Sequence, residues 1–257
     1  MELIITQENG VCHIKLNRPS VFNSFNQAMA FDMHRTLDEC EKNPEVRAIV
    51  ITGEGKAFCA GQDLAEVIDP NGPEMESIVR EHYNPIIERI RNIEKPVIGA
   101  VNGVAAGAGA NIALACDVTF AAESASFIQA FSKIGLVPDS GGTFFLPRII
   151  GMQKALALMF TGEKVSAKDA EAMNMIYKAV SDETFYEEVT AFAEKLAKMP
   201  TRGLGLTKKA VNQSWTNTLT EQLKVEEIFQ TEAGATHDFQ EGVNAFMEKR
   251  KPEFKGE

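Results

Sequence analysis

Apolar and polar positions alternate along Val11–Leu16, the two-residue period of a strand with one covered face, and Asn17-Arg18-Pro19 ends it. From about residue 26 to residue 42 the period lengthens, and Met29, Met33, Leu37 and Cys40 recur at helical spacing. Residues 46–52 form a short β-branched run of the kind that makes a buried strand, and Gly53-Glu54-Gly55 turns the chain after it. Residues 69–73, polar and containing Pro and Gly, read as a mobile loop. A helix over residues 75–92 leads into a second buried strand at 96–101, and residues 118–121 supply a third. Strands separated by helices predict an α/β architecture with parallel pairing.

After about Lys164 the pattern becomes helical. Segments 166–173, 183–199, 202–215, 219–235 and 239–249 each read as amphipathic or capped helices. Ser166 with Asp169, and Thr184 with Glu187, have the spacing of N-cap pairs. No internal repeat is visible.

Composition narrows the function classes. A 257-residue chain that is 44% hydrophobic and 24% charged has enough apolar surface for one large core, and disorder is excluded. Its 26 basic and 36 acidic residues leave a net charge of −10, which argues against nucleic acid as a partner. A polyanionic ligand would need local lysines and helix N-termini. Cys12, Cys40, Cys59 and Cys116 form no CxxC pair, and His13, His34, His82 and His237 form no cluster. Idle thiols in a reducing, cytoplasmic setting are expected, with no metal.

Residues 1–9 carry acidic groups and lack the long apolar region of a signal peptide. Residues 96–116 hold no charged side chain and approach the length of a membrane span. Their Gly and Ala content, with Asn102 and Asn111, reads instead as a buried strand followed by a buried helix. No membrane partner is expected.

Three segments could carry chemistry. Lys56-Ala57-Phe58-Cys59-Ala60-Gly61-Gln62-Asp63-Leu64 follows a strand, and its small residues let backbone approach a ligand; alone, it could equally be a tight turn. The second, from Val101-Asn102-Gly103 through Gly107-Ala108-Gly109-Ala110-Asn111, joins a strand to an apolar helix. Its uncovered N–H groups suit developing negative charge, or its small residues serve close packing. As a dinucleotide fingerprint it fails: Ile112 stands where the third small residue belongs, and Asp117 comes too early.

The third is Ile134-Gly135-Leu136-Val137-Pro138-Asp139-Ser140-Gly141-Gly142-Thr143. Among Leu136, Val137, Phe144 and Phe145, the Asp139 carboxylate would be poorly solvated and therefore a stronger base. The alternative is an N-cap for the helix near Gly141. Asp-Ser-Gly-Gly also occurs around serine nucleophiles of trypsin-like proteases, but no matching histidine segment is present, which argues against Ser140 as a nucleophile.

In this order, the three segments resemble the crotonase (enoyl-CoA hydratase/isomerase) superfamily. The likeness extends from Leu16-Asn17-Arg18-Pro19 to the closing Glu241-Gly242-Val243-Asn244-Ala245-Phe246-Met247-Glu248-Lys249-Arg250-Lys251. It implies a spiral of ββα units over residues 1–195 holding an acyl-CoA site, and a helical trimerisation region over 196–257. Trimers or hexamers built as paired trimers would follow. Coenzyme A would be part of the substrate, with no separate cofactor.

The resemblance places an oxyanion hole at the N–H groups of Gln62 and Ala108. It puts Ala60, Asp63, Leu64 and Gly107 along the substrate. The helix over residues 75–92, with Tyr83 and Ile87, would shape the acyl end of the pocket, the alternative for either residue being core packing. Lys56 and Lys249, the latter from a neighbouring subunit, would meet coenzyme A phosphates. Two glutamates that activate water in the family's hydratases fall at Asn111 and Phe131, neither of which can do acid–base work.

Asp139 is then the carboxylate left beside the thioester, which implies a double-bond shift rather than hydration. The string from Phe131 to Thr143, with Leu146-Pro147-Arg148, looks especially like the isomerases that convert ring-1,2-epoxyphenylacetyl-CoA to oxepin-CoA and 3-enoyl-CoA to 2-enoyl-CoA. A simple 3,2-enoyl-CoA isomerase, an enoyl-CoA hydratase or another acyl-CoA enzyme of the superfamily are alternatives. A non-catalytic member that binds acyl-CoA or protein is an alternative of another class.

Overall fold

The computed structural model describes residues 2–257. Its strands are β1 (Leu3–Glu8), β2 (Val11–Leu16), β3 (Ala48–Gly53), β4 (Ala57–Cys59), β5 (Val97–Val101), β6 (Val104–Ala106), β7 (Val118–Ala122), β8 (Ser126–Ile128), β9 (Lys164–Ser166) and β10 (Lys178–Val180). A six-stranded sheet has the order β1-β2-β3-β5-β7-β10, and a four-stranded sheet the order β4-β6-β8-β9. The pairs from β2 to β10 in the large sheet are parallel, as the alternation of strand and helix predicts.

The pairs β3–β4, β5–β6 and β7–β8 each place one strand in each sheet before the chain turns into helix. That is the repeating ββα turn of a spiral. Its large-sheet strands are buried throughout in β3 and β5, so they read as continuous apolar runs. The small-sheet strands β4, β6 and β8 span three residues each, too few to display a period, and they escaped the sequence reading. β1 was also missed. It pairs antiparallel with β2 through a turn at Asn9 and Gly10, both at positive φ, and only Leu3 along it is buried.

Helix Gln27–Lys42 buries Met29, Met33, Leu37 and Cys40, the four positions its spacing singled out. The Asn26 side chain caps it by accepting from the Met29 N–H at 2.9 Å. At its other end the Lys95 ammonium donates to the carbonyls of Cys40, Glu41 and Asn43. Lys95 precedes β5, so this cap ties the helix to the second turn of the spiral.

The helix expected over residues 75–92 begins at Met75–Ser77, widens into a π-helical segment Ile78–Tyr83 and continues as Asn84–Asn92. Pro85 supplies the reason. It has no N–H for the carbonyl of residue 81, and the Asn84 N–H reaches back to Val79 instead. Residues 96–116 divide into β5, β6 and helix Ala108–Ala115, and no described helix is long and apolar enough to cross a membrane.

Helices Phe185–Ala197, Thr201–Ser214, Leu219–Gly234 and His237–Glu248 complete the chain. Lys208 docks the second of these, donating to the Ile90 carbonyl and to Asp117, each at 2.7 Å. The Ser166 hydroxyl caps helix Ala167–Ala172 through the Asp169 N–H, as its spacing predicts. Thr184 does not act that way. It precedes Phe185–Ala197 without capping: at φ −106° and ψ 0° it lacks the extended conformation from which Ser166 caps, and its hydroxyl donates to the Glu188 carboxylate 3.2 Å away.

Candidate active site

The expected mobile loop at 69–73 folds onto itself, with the Gly72 N–H bonded to the Asp69 carbonyl at 2.8 Å. Beside it opens a cavity of about 420 Å³. Ala60, Gly61, Gln62 and Leu64 form one wall, Gly107 and Ala108 the floor, and Val67, Met75 and Ile78 the far side. Phe131, Ile134, Leu136 and Asp139 close it, with Lys133 at the edge. Residues 60–64, 107–108 and 131–139, far apart in sequence, therefore meet around one space.

Backbone geometry brings the first two segments together. Gly61 sits at φ +93°, and a Cβ there would lie 3.0 Å from the Ala106 carbonyl oxygen and 3.5 Å from the Ala108 nitrogen. Only glycine allows so close an approach at that dihedral. Phe25 anchors the segment by accepting from the Asp63 N–H and donating to the Gly61 carbonyl, which leaves Gln62 between two fixed points. Neither the Gln62 nor the Ala108 N–H donates to another described residue. Ala108 begins helix Ala108–Ala115, so the partial positive charge of that helix end adds to its amide.

The Gln62 side chain is held from behind. Tyr83 Oη donates to Gln62 Oε1 at 2.9 Å, Gln62 Nε2 donates to Glu66 at 2.8 Å, and Glu66 accepts from the Gln27 N–H at 2.9 Å. Tyr83 therefore does not line the cavity, and of its two expected roles the structure gives it core packing. It is fully buried behind Gln62 at the end of the π-helical turn, its ring tilted against that of Phe25 with centroids 5.8 Å apart.

Asp139 is half-buried, and burial pushes its carboxyl pKa upward, while hydrogen bonds from Ser140 and its own backbone pull the other way. Burial is the larger effect. The apolar neighbours differ from those expected: Leu136 faces the cavity, but Val137 is 76% exposed, and Phe144 leans outward against Trp215 and Arg148. Phe145 lies beneath Gly141. The N-cap alternative is also removed. Gly141 precedes helix Gly142–Ile150, and the Gly142 N–H bonds to the Asp139 backbone carbonyl at 2.8 Å, not to its carboxylate.

Asn111 is buried and does not line the cavity; it holds the wall behind it. Its Nδ2 donates to the Asp139 carbonyl at 2.8 Å, and its Oδ1 accepts from Gln129 at 2.8 Å. A Cβ at position 142 would fall 2.3 Å from Asn111 Nδ2, so the helix can lie this close only with Gly142. Gln129 had no sequence signal, since nothing local marks a residue whose partner is 18 positions away. Met75, Ile78, Val67 and Ile134 were missed for the same reason: one apolar side chain looks like another until a cavity forms.

Asp63 lies outside the cavity wall. It caps the short helix Leu64–Val67 through the Ala65 N–H at 3.0 Å and pairs with Arg18 at 2.9 Å. Arg18, from the Leu16-Asn17-Arg18-Pro19 string, also donates to the Ser24 carbonyl, so that motif braces the Gly61 segment. Lys56 is exposed in the turn between β3 and β4, and Lys249 is exposed where helix His237–Glu248 ends; neither lines the cavity. Cys59 is a fully buried thiol whose pKa burial pushes up to about 12, which makes it inert at neutral pH. Among the described residues no group of His, Cys, Asp and Glu could hold a metal ion.

Two unclaimed amide donors and one desolvated carboxylate on a shared cavity can hold a developing oxyanion and move a proton beside it. Residues 6–257 match the family model described as enoyl-CoA hydratase/isomerase. The chain is 46% identical over 260 residues to the 1,2-epoxyphenylacetyl-CoA isomerase of Escherichia coli, covering 100% of this chain and 99% of that protein. It is 37% identical to the mitochondrial enoyl-CoA hydratase of Pongo abelii, covering 99% and 88% respectively. The crystal structure of an enoyl-CoA hydratase from Bacillus anthracis superposes with a TM-score of 0.93 at 32% identity, covering 100% of both chains. The fold, the cavity and these likenesses agree: the chain belongs to the enoyl-CoA hydratase/isomerase family of crotonase-fold enzymes, which act on acyl-CoA thioesters.

Proposed function

We propose that this enzyme is an acyl-CoA isomerase in which Asp139 is the single acid–base group. The observation that carries the reading is that Asp139 is the carboxylate on the cavity wall, while Asn111 lies behind that wall and Phe131 on it offers no proton. A water-adding enzyme needs a second group to hold and activate water, and neither residue supplies one.

The thioester oxygen accepts hydrogen bonds from the Gln62 and Ala108 N–H groups. Asp139 takes a proton from the carbon next to the carbonyl, and the C–H electron pair spreads into a dienolate whose oxygen charge those amides stabilise. Each such donor contributes about 3–4 kcal/mol at the transition state. The proton then returns from Asp139 to the far end of the allylic system, the double bond moves into conjugation, and composition is unchanged. Ala60, Leu64 and Gly107 form the channel for the thioester arm.

The substrates that fit this reading are 3-enoyl-CoA thioesters and ring-1,2-epoxyphenylacetyl-CoA, the latter supported by likeness to the Escherichia coli isomerase. The apolar wall of Val67, Met75, Ile78 and Leu136 suits an uncharged chain or ring. Lys56 and Lys249 are the phosphate contacts in this reading. The 196–257 region forms the trimer contact, supported by the exposure of Phe246 and Met247 at 82% and 74%.

The test is a parallel assay of 3-enoyl-CoA and crotonyl-CoA, with Asp139→Asn as control. Rapid formation of 2-enoyl-CoA, lost by a factor of about 10²–10⁴ in the variant, supports the isomerase. Fast hydration of crotonyl-CoA overturns it in favour of a hydratase.

A further inference from the structure

Ser140 is 1% exposed and sits at φ +51°, a left-handed conformation that glycine adopts without strain and a side chain does not. Gly141 follows at φ +73°, and the two together swing the chain from the cavity wall into helix Gly142–Ile150. The Ser140 hydroxyl donates to Oδ1 of Asp139 at 2.9 Å and makes no other hydrogen bond to a described residue. Oδ2 has no side-chain donor among the described residues. Strain held at such a position signals a side chain kept for what it does.

We propose that Ser140 is a positioning residue for proton transfer, its hydroxyl fixing the carboxylate of Asp139 through Oδ1 and leaving Oδ2 as the oxygen that takes and returns the substrate proton. The proposal rests on the reading of Asp139 as the base. In the forward step the Oδ2–H bond forms as the substrate C–H bond breaks and its electron pair enters the dienolate; in the second step the same proton leaves Oδ2 for the distal carbon. A carboxylate that must reach two carbons in turn needs a fixed plane, and the bond at Oδ1 supplies it.

The elements around Asp139 carry Lys133 on the 3-10 turn Ala130–Ile134, Arg80, Glu81, His82 and Tyr83 on the π-helical segment, Cys59 on β4 and Arg148 on helix Gly142–Ile150. None of them bonds to its carboxylate. Ser140 is therefore the side chain whose removal alters both the orientation and the basicity of Asp139, since its hydrogen bond favours the ionised form.

The experiment measures kcat and KM for a 3-enoyl-CoA across pH in wild type, Ser140→Gly, Ser140→Ala and Asp139→Asn. Ser140→Gly removes the hydroxyl and also relieves the backbone strain, so it folds at least as well as wild type; Ser140→Ala removes the hydroxyl and keeps the strain. In both, kcat above the acidic limb falls about tenfold or more, KM stays within about twofold, and the limb moves to higher pH. If Ser140→Gly keeps kcat within about twofold, or loses it without moving the limb, the role of Ser140 is overturned while inactive Asp139→Asn leaves the base assignment standing. Near-normal turnover by Asp139→Asn overturns both.

Discussion

Asn111 Nδ2 donates to the backbone carbonyl of Asp139 at 2.8 Å, joining helix Ala108–Ala115 to the turn that carries the one carboxylate that the described residues place on the cavity wall. The same carbonyl accepts from the Gly142 N–H, and Gln129 holds Asn111 in the orientation that points its amide nitrogen there. The turn is thus fastened at its backbone, independently of what the Asp139 side chain does.

Asn111→Ala removes one of the two bonds to that carbonyl, which keeps the Gly142 N–H, and leaves the buried Gln129 amide nitrogen without its partner. A loss of about 1–3 kcal/mol in stability is expected for such an unsatisfied group. Turnover should fall roughly tenfold while affinity for a non-reacting acyl-CoA holds, because Asn111 does not line the cavity. Denaturant unfolding, calorimetric binding and a 3-enoyl-CoA assay together check this. Unchanged kcat with unchanged stability would contradict it.

Asp139 has a second consequence, for stability against pH. Burial raises its carboxyl pKa, so the folded chain binds this proton more tightly than the unfolded chain does. The favourable contribution is complete below the unfolded pKa and is lost as pH rises through the folded value. At neutral pH the ionised group therefore opposes folding. Asp139→Asn should melt above wild type at pH 7, by on the order of a few degrees, with the difference vanishing in acid. Thermal melts at both pH values decide it, and a lower melting temperature at pH 7 would mean that the carboxylate is better solvated than its surroundings indicate.

Gly61→Ala tests the paired amides. The added Cβ meets the Ala106 carbonyl at 3.0 Å, at a φ of +93° that alanine resists. The segment must shift, and with it the Gln62 N–H moves relative to Ala108. A fall of about 10²–10³ in kcat is expected, the cost of losing one oxyanion donor. Steady-state kinetics with a melting curve would separate this from simple unfolding; wild-type kcat would show that the Gln62 amide is not used.

Much of this protein is written in short stretches of its sequence. The helical spacing of Met29, Met33, Leu37 and Cys40, the buried runs of β3 and β5, and the Ser166 cap depend on neighbours within a few residues, where periodicity and local hydrogen bonding decide the outcome. The family likeness and the three segments that meet at the cavity were legible from residue identity and order. What tertiary structure alone decided were relations across long separations. Tyr83 lies inward behind Gln62, on the π-helical turn before Pro85, and no local pattern distinguishes that from a pocket-facing tyrosine. Asn111 became a brace because Gly142 lets helix Gly142–Ile150 come within bonding distance of it. Val137 lies out in solvent, and the dry surroundings of Asp139 come from segments brought in by the spiral. Desolvation depends on what packs in three dimensions around a group, and a residue's chain neighbours supply only part of that.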